Sequence, residues 1–195
     1  MRNVVLLQLS LAVLCLVTCG CGPQKPKTTG FLSDYSHLRP ETKLRSRYFP
    51  FDNRLAQYSA FIIDPVELRL DDNTKMELGN DAELDKLRVY MQEALVTTLE
   101  RRYRVAGVAP GPGVGRVRAA LTSLKKGTPF IAGGAAIEAE VLDAQTGRQL
   151  VAILEIQQVR RPQSGGFTEW DDAKRVMDDW IQRFYNKLTE AHARK

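Results

Sequence analysis

The sequence predicts an α+β domain: a mostly antiparallel sheet of about four to five strands with two long amphipathic helices packed on one face. Three observations lead there. Apolar residues recur at helical spacing in two stretches, residues 81–102 and 170–188. Between them, residues 116–121 and 137–141 alternate apolar with other side chains, and residues 150–156 form a third strand-like run. Asp143-Ala144-Gln145-Thr146-Gly147 supplies turn chemistry between the last two runs, which makes them a hairpin.

In chain order, Arg2 is followed by an apolar run over residues 4–17 that ends in Thr18-Cys19-Gly20-Cys21. A membrane-spanning helix needs about 20 apolar residues, and this run is shorter and carries Gln8 and Ser10. A plain secretory signal would end in an A-x-A-like site, where this sequence has cysteines. The expectation is a lipoprotein signal over residues 1–20, cleaved before Cys21. Cys21 follows the small Gly20 and would carry a thioether-linked diacylglycerol and an N-acyl chain such as palmitate. Cys19, with Leu16 three residues upstream, is the fallback acceptor. No other cofactor and no metal is expected.

Cys15, Cys19 and Cys21 all lie in this stretch, so the exported chain would fold without disulfides. The 175 residues left from 195 after removal of 20 suffice for one core. Only Arg2 is lost from the charge count, which leaves 27 basic against 23 acidic residues. That balance is too even and too dispersed to argue for nucleic acid.

Residues 21–29, polar and with prolines at 23 and 26, read as the lipidated cysteine and a flexible tether; residues 30–195 read as a single domain. Phe31, Leu32, Tyr35 and Leu38 recur in a segment too short for a stable helix, and are expected to pack as a clip against the domain. Residues 41–59 are charged and aromatic without a period. Tyr48, Phe49, Pro50 and Phe51 are expected to cover a core edge, with a helical turn near residues 53–57. Residues 60–64 and the alternating Val66, Leu68 and Leu70 form a first strand kinked at Pro65. Asn80 with Glu83 forms a capping box for the first long helix, whose Leu84, Leu87, Met91, Ala94, Leu95 and Leu99 share a face.

Residues 103–107 are expected to be a short strand and residues 108–113 a loop. Residues 125–135, with Gly127, Pro129, Gly133 and Gly134, are a second loop. Thr168 with Asp171 resembles a capping box for the final helix, which places Trp170, Trp180 and Phe184 on its apolar face. Asp171 with Arg175 and Asp179 with Arg183 are spaced four apart on the other. Asp178 and Asp179 are read as a solvated face.

Several of these stretches together carry a resemblance. Gly30-Phe31-Leu32-Ser33-Asp34-Tyr35 with Leu38, Asp64-Pro65-Val66, Glu93-Ala94-Leu95, and residues 138–147 with Glu138, Glu140, Asp143, Thr146 and Gly147 resemble a family of bacterial envelope lipoproteins catalogued only as a domain of unknown function. The resemblance spans residues 30–188. It implies an envelope lipoprotein and brings no activity, cofactor or catalytic residue with it.

Candidate chemistry is sparse. Gly111-Pro112-Gly113-Val114-Gly115 has the composition of a phosphate loop, but it leads into a strand rather than the helix N-terminus such a loop needs. Glu138, Glu140 and Asp143 are read as cross-strand partners of Arg116 and Arg118 rather than a catalytic carboxylate pair. The two histidines, His37 and His192, lie in the clip and at the C-terminus, which leaves little material for a triad or a metal site. Asp34 and Tyr35 are the residues without an obvious core role, and are read as a partner contact or as a bond between clip and domain. The expected function is that of a non-enzymatic lipoprotein on the periplasmic side of the outer membrane, an accessory or adaptor for an envelope assembly. Its partners would be the membrane through the anchor and an envelope protein. Gly22 after the acceptor, in place of an aspartate, leans away from inner-membrane retention. The alternatives are a carrier of lipid or another apolar ligand, with the aromatic stripe and residues 127–134 as a mouth, and an envelope hydrolase using Glu138 and Asp143.

Overall fold

The computed structural model of the chain describes residues 27–48, 54–127, 133–159 and 169–194. Cys19, Cys21, the aromatic run 49–51 and Thr168 lie outside them, as do the expectations placed there. In order the elements are β1 (Arg39–Thr42), β2 (Arg45–Tyr48), a 3₁₀ turn (Arg54–Gln57), β3 (Ala60–Ile63), β4 (Glu67–Leu68), α1 (Asp72–Leu78), α2 (Asp81–Glu100), β5 (Val114–Lys125), β6 (Gly134–Asp143), β7 (Gln149–Gln158) and α3 (Asp171–Ala193).

The sheet is larger than the four to five strands expected. Among the described residues it has seven, in the order β1-β2-β7-β6-β5-β3, with β4 also on β5. The expected β6–β7 hairpin is its centre: both neighbours of β6 run antiparallel to it. The other edge departs from the expectation, because β3 and β4 pair parallel to β5. The chain leaves β4, passes through α1 and α2, and returns into β5. A crossover through a helix delivers the next strand parallel, where a tight turn would deliver it antiparallel.

Alternation sorts the sheet into two faces. Val117, Ala119 and Leu121 of β5 lie in register with Val141, Ala139 and Ile137 of β6. These point to the side covered by α2 and α3 and join one apolar core with Leu84, Leu87, Met91, Leu95 and Leu99 of α2 and Val176, Met177, Trp180, Ile181 and Leu188 of α3. Each fully buried Leu, Ile, Val or Met among them contributes about 1.5–3 kcal/mol. On the opposite face Phe31 and Leu32 pack on Ala120 and Ala152, with Tyr35, Leu38 and Tyr48 at the margin. The clip expected at residues 30–38 is therefore there, and it occupies the face away from the long helices.

The sequence pattern does not show β1, β2 or α1, and it overstates residues 103–107. The hairpin β1–β2 is exposed to half-buried throughout, so its residues carry no apolar alternation, and Pro40 is tolerated because β1 is an edge. Helix α1 is only seven residues; Asp71 accepts from the Thr74 amide at 2.8 Å to start it, and Gly79, at φ 61°, ends it. The strand expected at residues 103–107 is reduced to a single bridge between Arg104 and Ala60, because the Tyr103 amide still bonds to Leu99 O at 2.9 Å and holds the segment to the end of α2.

Helix starts differ in detail. Asn80 Oδ1 accepts from the Glu83 amide at 3.3 Å as expected. The Glu83 carboxylate does not turn back to close a box; it accepts from the Trp170 indole at 3.0 Å and so ties α2 to the start of α3. Trp170 takes the capping position of α3 without a side-chain cap. The Asp179–Arg183 spacing is likewise overridden: Arg183 reaches to Glu155 on β7 at 3.0 Å, and Asp179 accepts from Gln157 at 2.9 Å. Asp178, read as solvated, takes the Tyr90 hydroxyl at 2.8 and 2.9 Å, and burial followed by that carboxylate pushes the Tyr90 phenol up to about 12.

The loop before β5 works as a connection. Gly113, at φ 70°, turns the chain, and Gly115 enters β5 directly against the Phe61 ring, which is fully buried. A Cβ at Gly115 would come within 2.7 Å of that ring. Gly115→Ala is expected to destabilise the domain by about 1–3 kcal/mol through overpacking, read as a lower urea midpoint at unchanged slope.

Candidate functional site

Two glutamates of the central strand organise the face under the clip. Glu138 and Glu140 sit two apart on β6 and so project to the same side. They are 0% and 2% exposed. A buried carboxylate is tolerated only with donors around it, and the clip supplies most of them. The Thr29 amide donates to Glu138 Oε1 at 2.7 Å, and the Tyr35 hydroxyl donates to Oε2. The Ser33 amide and hydroxyl donate to Glu140 Oε2 at 2.9 and 2.7 Å, and the Gln149 amide does so at 2.8 Å. Arg118 closes the set at 2.6 Å from Glu140 Oε1 while its guanidinium lies 4.7 Å over the Phe31 ring.

The expected charge pairing across β5 and β6 is thus half present. Arg118 lies opposite Glu140 in register and binds it, but Glu138 lies opposite Ala120, and Arg116 lies opposite Leu142. Arg116 instead approaches Asp64 at 3.7 Å. The register places small residues beneath the clip, and the Thr29 amide just ahead of it and the Tyr35 hydroxyl within it take the partner role at Glu138. Sequence spacing shows the carboxylates but not the backbone donors that reach them from residues 29 and 33.

Tyr35 and Asp34 part company. Burial, reinforced by the Glu138 carboxylate, pushes the Tyr35 phenol up. The Asp34 carboxylate turns outward, accepting from the Ser36 amide at 2.7 Å and pairing with His37 at 3.2 Å; the Ser36 amide and hydroxyl hold it below the usual carboxylate range. Only the Asp34 backbone carbonyl reaches the domain, accepting from Gln149 at 2.9 Å. His37 stacks on Tyr48 at 4.8 Å, and the His192 ring lies 2.8 Å from the Leu188 carbonyl.

Asp143, at the hairpin turn, accepts from the Tyr58 hydroxyl at 2.7 Å and from the Thr146 amide at 2.8 Å, and these bonds bring its carboxyl down to about 2. A depressed acid adds stability that is complete above its unfolded value, 3.8, and is lost as pH falls through the folded one. Asp143→Asn is therefore expected to lose less stability than the parent chain between pH 4 and 2, measured by thermal melts at each pH. Glu138 and Asp143 both spend their oxygens on holding the fold. A carboxylate in proton transfer needs a free side towards its substrate, and Glu138, fully buried, offers none. Among the described residues no group of three or more His, Cys, Asp or Glu side chains could hold a metal ion, and no helix is long and apolar enough to cross a membrane.

On the opposite face a cavity of about 230 Å³ lies between α3 and the sheet, reaching back to Met91 and Leu95 of α2. Trp180 and Phe184 of the aromatic stripe line it. Trp170 does not, and neither does any described residue of 127–134. Both ends of that loop are pinned at the start of α3: the Gly127 amide donates to Glu169 O at 2.8 Å and the Gly133 amide to the buried Asp172 carboxylate at 2.9 Å. Residues 128–132 of that loop lie outside the described residues. The charged and polar residues that line the cavity are Arg47, Glu140, Arg183, Asn186, Lys187 and Glu190.

Among the described residues the chain is thus a seven-stranded α+β domain, with its N-terminal segment strapped over buried carboxylates on one face and a cavity under the helix on the other. The chain belongs to the family described as Protein of unknown function (DUF3313), which it matches over residues 27–133 and 131–184. The description assigns no activity. No curated protein matches the chain. Solved structures resemble it distantly. A PelC dodecamer from Paraburkholderia phytofirmans is 11% identical with a TM-score of 0.44, over 74% of this chain and 95% of that one. A candidate lipoprotein from Caulobacter crescentus CB15 is 12% identical at 0.44, over 72% and 94%. Lipoprotein GNA1162 from Neisseria meningitidis is 13% identical at 0.27, over 68% and 99%.

Proposed function

We propose that this protein is a lipid-anchored envelope lipoprotein that works without catalysis, as an accessory or adaptor for an envelope assembly on the periplasmic side of the outer membrane. The observation that carries the reading is the run over residues 4–17 ending in Thr18-Cys19-Gly20-Cys21, with Cys21 as the acceptor of diacylglycerol and an N-acyl chain. The strap supports it. From Cys21 to Thr29 is eight residues, at most about 29 Å of extended chain, and at Thr29 the chain is already bonded to Glu138 at the centre of the sheet. An anchor at Cys21 would therefore hold the strapped face close to the bilayer and leave the helical face available to a partner. Buried, donor-saturated carboxylates at Glu138 and Glu140 favour a structural role for them over hydrolysis.

The test is metabolic labelling with an alkyne fatty acid, followed by membrane fractionation and in-cell crosslinking. Label and outer-membrane location that vanish in Cys21→Ala, with one discrete protein crosslinked through the helical face, are the expected result. Label that persists in Cys21→Ala and moves to Cys19 would change the acceptor. An unlabelled, freely soluble parent chain would overturn the anchor, and crosslinks to lipid alone would overturn the adaptor role.

A further inference from the structure

We propose that the cavity between α3 and the sheet binds one single-chain carboxylic amphiphile, a molecule of the fatty-acid class, with its hydrocarbon tail inside and its carboxylate at the β2–α3 mouth. The proposal is independent of lipidation at Cys21. The interior is apolar: Leu95 from α2, Ala139, Val151 and Ile153 from the sheet, Trp180 and Phe184 from α3. Ala139 makes the space, because it is the small side chain between Ile137 and Val141 on the face that the helices cover. An apolar cavity of about 150 Å³ suffices for benzene, so about 230 Å³ has room for a longer, flexible hydrocarbon.

The mouth has the opposite chemistry. Arg47 comes from β2; Arg183 and Lys187 come from successive turns of α3. Their neighbours hold them there: Arg47 pairs with Glu41, Arg183 with Glu155 at 3.0 Å, and Lys187 with Glu190 at 2.9 Å. Arg45 also pairs with Glu155. Glu190, which holds Lys187, lines the cavity as well, so an arriving anion competes with it for that ammonium. Arg183 and Lys187 remain 39% and 48% exposed, so both can turn a donor to an arriving anion.

A ligand whose polar atoms are all acceptors fits a mouth of cations; a neutral hydrocarbon does not use it.

The experiment uses the full chain, purified into a fluorinated amphipol and stripped with fatty-acid-free albumin. Dodecanoate and dodecanol are titrated separately, with tryptophan emission and calorimetry as readouts. Saturable one-to-one binding of dodecanoate, at least tenfold tighter than dodecanol, is expected. Ala139→Phe, which fills the space, should weaken dodecanoate at least tenfold. Lys187→Glu, on the exposed side of the mouth, should weaken dodecanoate several-fold and leave dodecanol unchanged, and it keeps the test decisive if Ala139→Phe fails to fold. Absence of saturable binding, or equal binding by a folded Ala139→Phe chain, would overturn the site. Equal affinities for acid and alcohol, or a Lys187→Glu chain that binds dodecanoate as the parent does, would overturn its assignment to carboxylates.

Discussion

Glu140→Ala is expected to lower the unfolding free energy by about 3–5 kcal/mol, the cost of breaking a buried, hydrogen-bonded ion pair from one side. The magnitude follows from what is stranded. Glu140 accepts from Arg118, from the Ser33 amide and hydroxyl, and from Gln149. Alanine leaves all four donors facing a gap under the strap. Arg118→Ala removes only one donor, and the remaining three still solvate the carboxylate; Arg118 is also 26% exposed, so its own desolvation is partial. The two single variants should therefore be unequal, with Glu140→Ala costing about 1–2 kcal/mol more, as the loss of several charged hydrogen bonds exceeds the loss of one. Equilibrium urea unfolding of both, with the double variant to close the cycle, reads the difference and the coupling. Equal losses would mean that the Arg118 contact alone holds Glu140, and that the strap's donors add nothing.

The fold was legible wherever burial is one-sided. The faces of α2 and α3, β5, and the β6–β7 hairpin follow from the periodicity of Leu84 to Leu99, of Val117 to Leu121 and of Ile137 to Val141, because each segment buries one face and wets or straps the other. β1 and β2 were illegible for the same reason in reverse: an edge hairpin of Arg, Glu, Ser and Thr buries too little to leave a pattern. The parallel edge was hidden because alternation records which face a residue takes and not which way its neighbour runs. At the site, the clip could be seen in Phe31 and Leu32, and Glu138 and Glu140 could be seen as paired carboxylates. Their meeting was legible only at Tyr35, whose hydroxyl bonds Glu138; the amides of Thr29 and Ser33 left no mark, since any residue but proline carries one. The cavity was half legible. Trp180 and Phe184 marked its wall, while Arg183 was assigned to a helix-surface pair with Asp179 that tertiary contact with Glu155 replaces.

The strap itself is expected to open locally when Phe31 is cut back to alanine. Phe31 is 3% exposed, sits on Ala120 and Ala152, and lies beneath the guanidiniums of Arg118 and Arg69 at 4.7 and 5.7 Å. Truncation of such a phenylalanine costs about 3–5 kcal/mol. The strap's hydrogen bonds to Glu138 and Glu140 resist opening less than their number suggests, because an opened strap lets water reach both carboxylates and replace the lost donors; each then nets only about 1 kcal/mol. The apolar contact is thus the larger part of what fastens the segment. A loss of about 3 kcal/mol raises the open population roughly 100-fold. Amide exchange at residues 29–35 should accelerate by that factor in Phe31→Ala, while amides of β5 and β6 that bond within the sheet keep their protection. The same variant should leave cavity binding intact, since the strap and the α3 cavity lie on opposite faces. Uniform acceleration across the whole sheet would show instead that strap and core unfold as one unit, and that the segment next to the tether cannot be released without losing the domain.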